Sequence, residues 1–352
     1  MVEKKRTTRK AVTLGDVARA AKVSPMTVSN FINGRLKHMT ATTRERVERA
    51  VRDLNYRPHT AARGLRQSRR LSIGIIVVDE SPLYLSDGFT NEVVSGLTNS
   101  LNDHDLTLQL EGRTAKQFVQ SSLIRDVRTD GLCLMLSGSD PVRRSLLETA
   151  MRLNQPVVLL IERPSPSFLT AHPNLCSVIQ DDRTGAAMLT RHLLDRGARH
   201  CLFLRHDLSR WWAVDERERG IRSVIEKAGR GATLTVAGCG NGSIAEAQAA
   251  LAAAIERDGL PDAVMGANDK IGIAALKFLV KNKVPVPDRV RITGFNAFDS
   301  WEYSSLPLTT VRSRGYEIGK SAGEEMIGCL QRGSFSNRSI KLPIELVVGE
   351  TT

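Results

Sequence analysis

The sequence predicts a small all-α helix-turn-helix head followed by a large α/β body in two lobes. Three observations point to it. The first 70 residues hold 18 Lys and Arg against 5 Asp and Glu, while the whole 352-residue chain has a net charge of only +12, so the body is close to neutral. Within that basic segment, short apolar stripes recur at helical spacing behind helix-start residues. Beyond it, short apolar runs alternate with amphipathic stretches, the pattern of parallel sheets wrapped by helices. Charge placed in this way is the electrostatic footprint of a phosphate-binding module. A solvated basic tail would account for residues 1–10 but not for the ordered pattern that follows.

The head is read as residues 12–57, behind a basic arm at 1–11. Thr13 caps a first helix, with Asp16 near the positive N-terminus in a capping-box arrangement, and Leu14, Val17, Ala18 and Ala21 share one face. Lys22 and Val23 make a tight turn. Ser24 and Pro25 then restart the helix as a favoured cap and first residue. Val28, Phe31 and Ile32 supply the buried face of this second helix, leaving Pro25, Met26, Thr27, Ser29 and Asn30 on the other. Thr42-Thr43-Arg44-Glu45 reads as the capping box of a third helix, continued by Val47, Ala50, Val51 and Leu54. Three short helices around one small core, with a hydroxyl-rich second helix, suit insertion of that helix into a DNA major groove. A small helical bundle with basic decoration is the alternative.

Residues 58–70 are basic and alanine-rich, with one large apolar residue, Leu65. Alone this segment reads as a linker. A helix of about nine residues is marginal in water, and Gly64 costs about 1 kcal/mol of propensity. In the body, 71–352, the apolar runs fall at 71–78, 106–110, 131–136, 156–161, 201–204, 263–266 and 290–295. They are too many for one simple sheet, so two lobes are expected.

Other classes are poorly served. The five cysteines, Cys133, Cys176, Cys201, Cys239 and Cys329, include no C-x-x-C pair, so neither a zinc site nor a disulfide framework is indicated and a reducing cytoplasm fits. No apolar stretch follows the first charges as in a secretory signal, and none approaches the roughly 20 residues that span a bilayer. Gly238, Gly240 and Gly242 follow a strand-like run but lack the last glycine of a dinucleotide fingerprint. The histidines show no metal-ligand spacing, and no G-x-S-x-G elbow exists. The expectation is no enzyme, no metal and no cofactor.

The wording of several segments adds to this reading. Val12-Thr-Leu-Gly-Asp-Val-Ala, Val23-Ser-Pro-Met-Thr-Val-Ser, Thr43-Arg-Glu-Arg-Val and Leu54-Asn-Tyr-Arg-Pro resemble the head of the lactose-repressor/galactose-repressor (LacI/GalR) family of bacterial regulators. The resemblance runs on through Gly185-Ala-Ala-Met-Leu, Leu193-Leu-Asp-Arg-Gly, Asn268-Asp269 and Gly294-Phe295 to Leu308-Thr-Thr-Val, and is looser between Asp79 and Gly88. It implies a helix-turn-helix DNA-binding head on an α/β, two-lobed, periplasmic-binding-protein-like body with three crossovers. Lobe 1 would take about 71–170 and 298–327, and lobe 2 about 171–297 and 328–352. It also implies a hinge helix at 58–70 that orders on DNA, with Leu65 as a minor-groove wedge and Ala62 as the small residue one turn before it. Packing of Leu65 on the body is the alternative.

The implied function is that of a cytoplasmic, homodimeric transcriptional regulator, more specifically a repressor. It would bind pseudo-palindromic operator DNA and respond to a small polar effector, a sugar or sugar-derived metabolite, in the interlobe cleft. The expected DNA-contacting set is Thr13, Ser24, Pro25, Met26, Thr27, Ser29, Asn30, Asn33, Arg57, Ala62, Arg63 and Leu65. The expected effector set is Arg217, Asp269, Asn268, Trp211, Trp212, Glu162 and Phe89, in which Arg and Asp pair donors with acceptors and a tryptophan covers an apolar face. A solvated helical turn is the alternative for Arg217 and its acidic neighbours. Four departures from the family stand out. Asn30 replaces the arginine that usually ends the recognition helix, and Asn suits adenine edges where Arg suits guanine. Asn296-Ala297 replaces two aspartates, which puts a supporting network in doubt. Lys270 and Gly272 vary the residues after Asn268-Asp269. A longer loop at 79–89 lets Tyr84 or Asp87 shape the pocket.

Overall fold

A computed structural model describes residues 12–37, 39–57, 70–207, 210–297 and 306–352. The chain divides into two compact units, Met1–Arg70 and Leu71–Thr352. The expected arm and most of the hinge, with Ala62, Arg63 and Leu65, lie outside the described residues.

The first unit holds three helices: α1 (Leu14–Ala21), α2 (Pro25–Ile32) and α3 (Ala41–Asp53). Thr13 and Asp16 close a capping box on α1, and Lys22 ends it in the left-handed region at φ 54°. Ser24 then caps α2, accepting from Thr27 N–H, with Pro25 as the first helical residue. Val17, Ala18, Ala21, Val28, Val47 and Ala50 form the core, and Phe31, Ile32, Val51, Leu54 and Tyr56 pack around it. The start of α3 differs from expectation. Thr40 is its cap, accepting from Thr43 N–H, so the helix begins one residue before Thr42 and Glu45 takes no part in a capping box.

The second unit is built on two parallel sheets. The six-stranded sheet has order β11-β5-β4-β3-β1-β2, and the four-stranded sheet has order β7-β6-β8-β9. In the first lobe, β1 (Ser72–Val78) lies between β2 (Thr107–Arg113) and β3 (Gly131–Met135), followed by β4 (Val157–Leu160) and β5 (Leu175–Gln180). In the second, β6 (His200–Arg205) lies between β7 (Thr233–Gly238) and β8 (Ala263–Gly266), with β9 (Arg291–Thr293) at the edge. β1, β3 and β4 are buried along their whole lengths, as expected for strands covered by helices on both faces. The helices Gly88–Asn102 and Gly315–Arg332 lie backbone to backbone on one face. A Cβ at Gly96 would strike Tyr316 O, and one at Gly319 would strike Val93 O.

The expected lobe boundaries need correction. β5 and β11 (Ser339–Leu342) extend the first sheet, and helix Gly315–Arg332 packs its Ile318, Ala322 and Met326 into the first lobe's core. β10 (Thr310–Arg312) pairs instead with β12 (Glu345–Val347), and Thr309 and Arg312 bridge to Thr293 and Asn296 beyond β9. Among the described residues the first lobe therefore takes about 71–180 and 315–342, and the second about 181–207, 210–297, 306–312 and 345–352. The C-terminal segment holds two strands, β11 and β12. Pro343 falls between them, where a residue without an N–H donor interrupts the ladder and the chain changes lobes. β5, β10 and β11 carry polar residues within three to six positions, so no continuous apolar run announces them.

Candidate functional site

The three lobe crossovers, near 181, 313 and 343, are tied together by hydrogen bonds of side chains and backbone. Gln180 is buried in the first. Its Nε2 donates to Asp182 Oδ1 at 3.1 Å and to Ser313 Oγ at 3.2 Å, and its Oε1 accepts from Arg314 N–H at 3.0 Å. Asp181 N–H donates to Leu342 O at 3.1 Å, which brings in the third. Away from the crossovers, Gly138 N–H donates to Arg210 O at 2.8 Å, and Ser137 bridges to Trp211. Trp211 packs against the cores of both lobes.

Between the lobes lies a cavity of about 270 Å³, lined among others by Asp79, Tyr84, Asp87, Phe89, Trp211 and Arg217. Its walls follow one rule. Asp79, Ile161, His206 and Asn268 each lie within two residues of the C-terminal end of a parallel strand, where ligands enter open α/β sheets. Asn296 stands three residues past β9.

Arg217 is buried, not part of a solvated turn. A Cβ on Gly220 would strike Arg183 O, so the glycine lets helix Trp212–Ala228 lie close on helix Asp182–Asp195 and carries Arg217 onto Asp182. Its Nε donates to Asp182 Oδ1 at 2.9 Å, one Nη donates to Ala267 O, and the other to Asn296 Oδ1 at 3.4 Å. The guanidinium stacks 3.7 Å from the Phe295 ring centroid. Burial pushes the Asp182 carboxyl upward against the pull of Arg217 and Gln180. The network left in doubt at Asn296 is present: its Oδ1 also accepts from Ser313 Oγ at 2.7 Å.

The remaining expected effector residues separate. Phe89, Trp211 and Asn268 line the cavity with Arg217, and so do Tyr84 and Asp87 from the 79–89 loop. Asp269, Trp212 and Glu162 do not. Asp269 is fully buried and accepts from Thr310 Oγ1 at 2.6 Å, so it fastens β10 to helix Asp269–Lys281. Glu162 pairs with the buried Arg143 at 3.0 Å. The left-handed Ile161, at φ 56°, puts its own side chain in the cavity wall and carries Glu162 away. Sequence reading passed over Asp79, His206 and Asn241. The glycine run at 238–242 was a signal for two of them: Gly240 and Gly242 adopt φ 55° and 72°, and a Cβ on Gly242 would lie 2.6 Å from the His206 ring.

The two walls differ in charge. Asp79 and Asp87 stand on the first lobe, and burial, reinforced by Asp79, raises the Asp87 carboxyl against its Thr90 hydrogen bonds. His206 and Lys270 stand on the second. Burial and the nearby Arg217, Lys270 and Arg205 push the His206 ring down to about 4, so it is neutral at pH 7.

In the head, Met26 is 65% exposed, an unusual position for a large apolar side chain. Pro25 is exposed, and Thr27, Ser29 and Asn30 are half-buried. Thr27 and Asn30 also line a groove with Arg35, Lys37 and the first turn of α3. Three expected contacts already hold the fold: the Thr13 and Ser24 hydroxyls are caps, and Asn33 Nδ2 donates to Ser29 O at 2.6 Å. Arg57 is exposed beyond α3.

All five cysteines are free and buried, and burial raises every thiol, Cys201 to about 11. Among the described residues no group of three or more His, Cys, Asp and Glu is placed to hold a metal ion, and no helix is long and apolar enough to cross a membrane.

A helix-turn-helix unit joined to a two-lobed body with a polar cleft defines a class: DNA-binding regulators with a periplasmic-binding-protein-like domain. Residues 13–59 match bacterial regulatory proteins of the lacI family, and residues 190–352 match the periplasmic binding protein-like domain. The chain thus carries a LacI-family helix-turn-helix domain and a periplasmic-binding-protein-like domain. It is 28% identical over 342 residues to the HTH-type transcriptional repressor PurR of Vibrio atlanticus (strain LGP32), covering 96% of this chain and 98% of that one. Its fold is similar to the Lac repressor dimer bound to operator and the anti-inducer ONPF, with a TM-score of 0.82, 21% identity, and 97% and 99% of the two chains covered. It is also similar to the transcriptional regulator CelR in complex with cellobiose, with a TM-score of 0.69, 23% identity, and 97% and 100% covered.

Proposed function

We propose that the chain is a homodimeric repressor of pseudo-palindromic operator DNA, controlled by a small polar effector bound in the interlobe cavity. Arg217 carries the reading. It lines the cavity, yet it is bonded to Asp182 at the first crossover and to Asn296, which holds Ser313 at the second. A ligand that rearranges the donors of Arg217 therefore acts on the residues that set the angle between the lobes. The coupling such a device transmits is typically about 1–3 kcal/mol. Three of the five guanidinium N–H donors are used within the protein, leaving two for ligand oxygens. Phe89, Tyr84 and Trp211 offer apolar faces beside them.

On the DNA side, Met26, Thr27, Ser29 and Asn30 on α2 are the base-reading set. Arg35, Lys37, Arg57 and the positive N-terminus of α3 take phosphates. In this reading Leu65 and Ala62 belong to a hinge in the minor groove, and Arg63 flanks it. The test is a chain beginning at Leu71. It is expected to remain folded and to lose all operator affinity. A retained gel shift by that body would refute the division of labour.

A further inference from the structure

The effector reading above leaves its chemical class open, and the donor and acceptor inventory of the two cavity walls narrows it. Asn268 and Asn296 are each oriented by a group that can only donate, a backbone N–H and a guanidinium. Asn268 Oδ1 accepts from Ile271 N–H at 3.0 Å, and Asn296 Oδ1 accepts from Arg217 and from Ser313 Oγ. Both asparagines have thus committed their carbonyl oxygens to the protein and keep their NH2 groups. Arg217 and Lys270 have donors only, and Lys270 makes no ion pair among the described residues. His206 Nδ1 is a buried ring nitrogen with no hydrogen-bond partner among the described residues. The second lobe's wall therefore presents the asparagine NH2 groups, the remaining donors of the Asp182-paired Arg217 and the cation of Lys270. The first lobe's wall is the reverse. Asp79 and Asp87 are acceptors: Asp79 Oδ1 already takes Ser81 N–H at 2.9 Å, and Thr90 occupies only Oδ2 of Asp87, through both its N–H and its hydroxyl.

We infer that the effector is an anionic polyol, with its carboxylate or phosphate against His206, Lys270 and Arg217 and its hydroxyls donating to Asp79 and Asp87. This rests on the cavity being the effector site. A neutral sugar would satisfy the aspartates but leave the donor wall with too few acceptors. An oxyanion brings several lone pairs and forms the stronger, charge-assisted bonds. Tyr84, Phe89 and Trp211 then cover the carbon skeleton.

The experiment is calorimetry on the full-length protein with matched probes. D-gluconate and D-glucuronate form the carboxylate arm, hexose and pentose monophosphates form the phosphate arm, and each is run beside its uncharged parent sugar. At least one anionic probe is expected to exceed its parent in affinity by about tenfold or more, the scale of one hydrogen bond to a charged group. The responding arm identifies the headgroup. Lys270→Gln, at an exposed position, and His206→Asn are each expected to reduce that preference while the fold is kept. Parents that bind as tightly as their anions, a preference unchanged in both variants, or no binding by any anionic probe would each overturn the inference. A neutral sugar whose binding is lost in Arg217→Ala would remove the anion and leave the cavity as the effector site. Binding indifferent to Arg217→Ala would remove that reading as well.

Discussion

Arg217 and Asp182 are a buried ion pair on the floor of the cleft, and their stability consequences separate two readings of the Arg-Glu-Arg-Gly segment. Arg217→Ala leaves a fully buried carboxylate without its cation, which costs about 3–5 kcal/mol. A solvated turn would lose less than about 0.5 kcal/mol. Urea unfolding of the body distinguishes the two, and the larger loss is expected. His206 gives a prediction in pH. Its folded-state value is depressed to about 4 from the ordinary 6.5, so between these values the unfolded chain binds more protons than the folded one. The contribution of the neutral ring is full above about 6.5 and is lost as pH falls towards 4. Melting temperature measured across that window is expected to fall less steeply in His206→Asn than in the wild type. Equal slopes would contradict the buried, neutral ring. Residue identity showed Arg217 and Asn268 in the sequence because their neighbours are distinctive words. Asp79 and His206 were invisible because their role comes from standing just past strand ends whose registry is set by tertiary pairing. Asp269 shows the converse. Its motif is distinctive, but the 2.6 Å bond from Thr310 turns it into the core.

At the scale of elements, signals carried by local chemistry were legible. The Thr13 box, the Ser24-Pro25 restart and the apolar strands β1, β3 and β8 all lie where composition puts them. Elements defined by distant partners were not. β5 and β11 join the first sheet because they pair with each other and with β4, which no local pattern reveals. The start of α3 is a finer case, since four consecutive candidates, Thr40 to Thr43, offer three hydroxyls. The structure selects Thr40, whose hydroxyl accepts Thr43 N–H at 3.3 Å. Thr40→Ala is expected to cost α3 about 1 kcal/mol, read as faster hydrogen exchange across residues 41–53. Glu45→Ala is expected to leave exchange almost unchanged. The opposite ranking would restore the box at Thr42-Glu45.

At the scale of the whole molecule, a basic head is joined to a near-neutral body, and the proposed function rests on α2 reading DNA for a two-fold dimer. The most direct measurement is selection of binding sites from a random duplex pool by the full-length protein, run in parallel with Asn30→Arg. An inverted-repeat motif is expected for the wild type. In the variant, one symmetry-related pair of positions should change its preferred base, towards guanine, at about 1–3 kcal/mol per base pair. An asymmetric or featureless motif, or the same motif from both proteins, would contradict it.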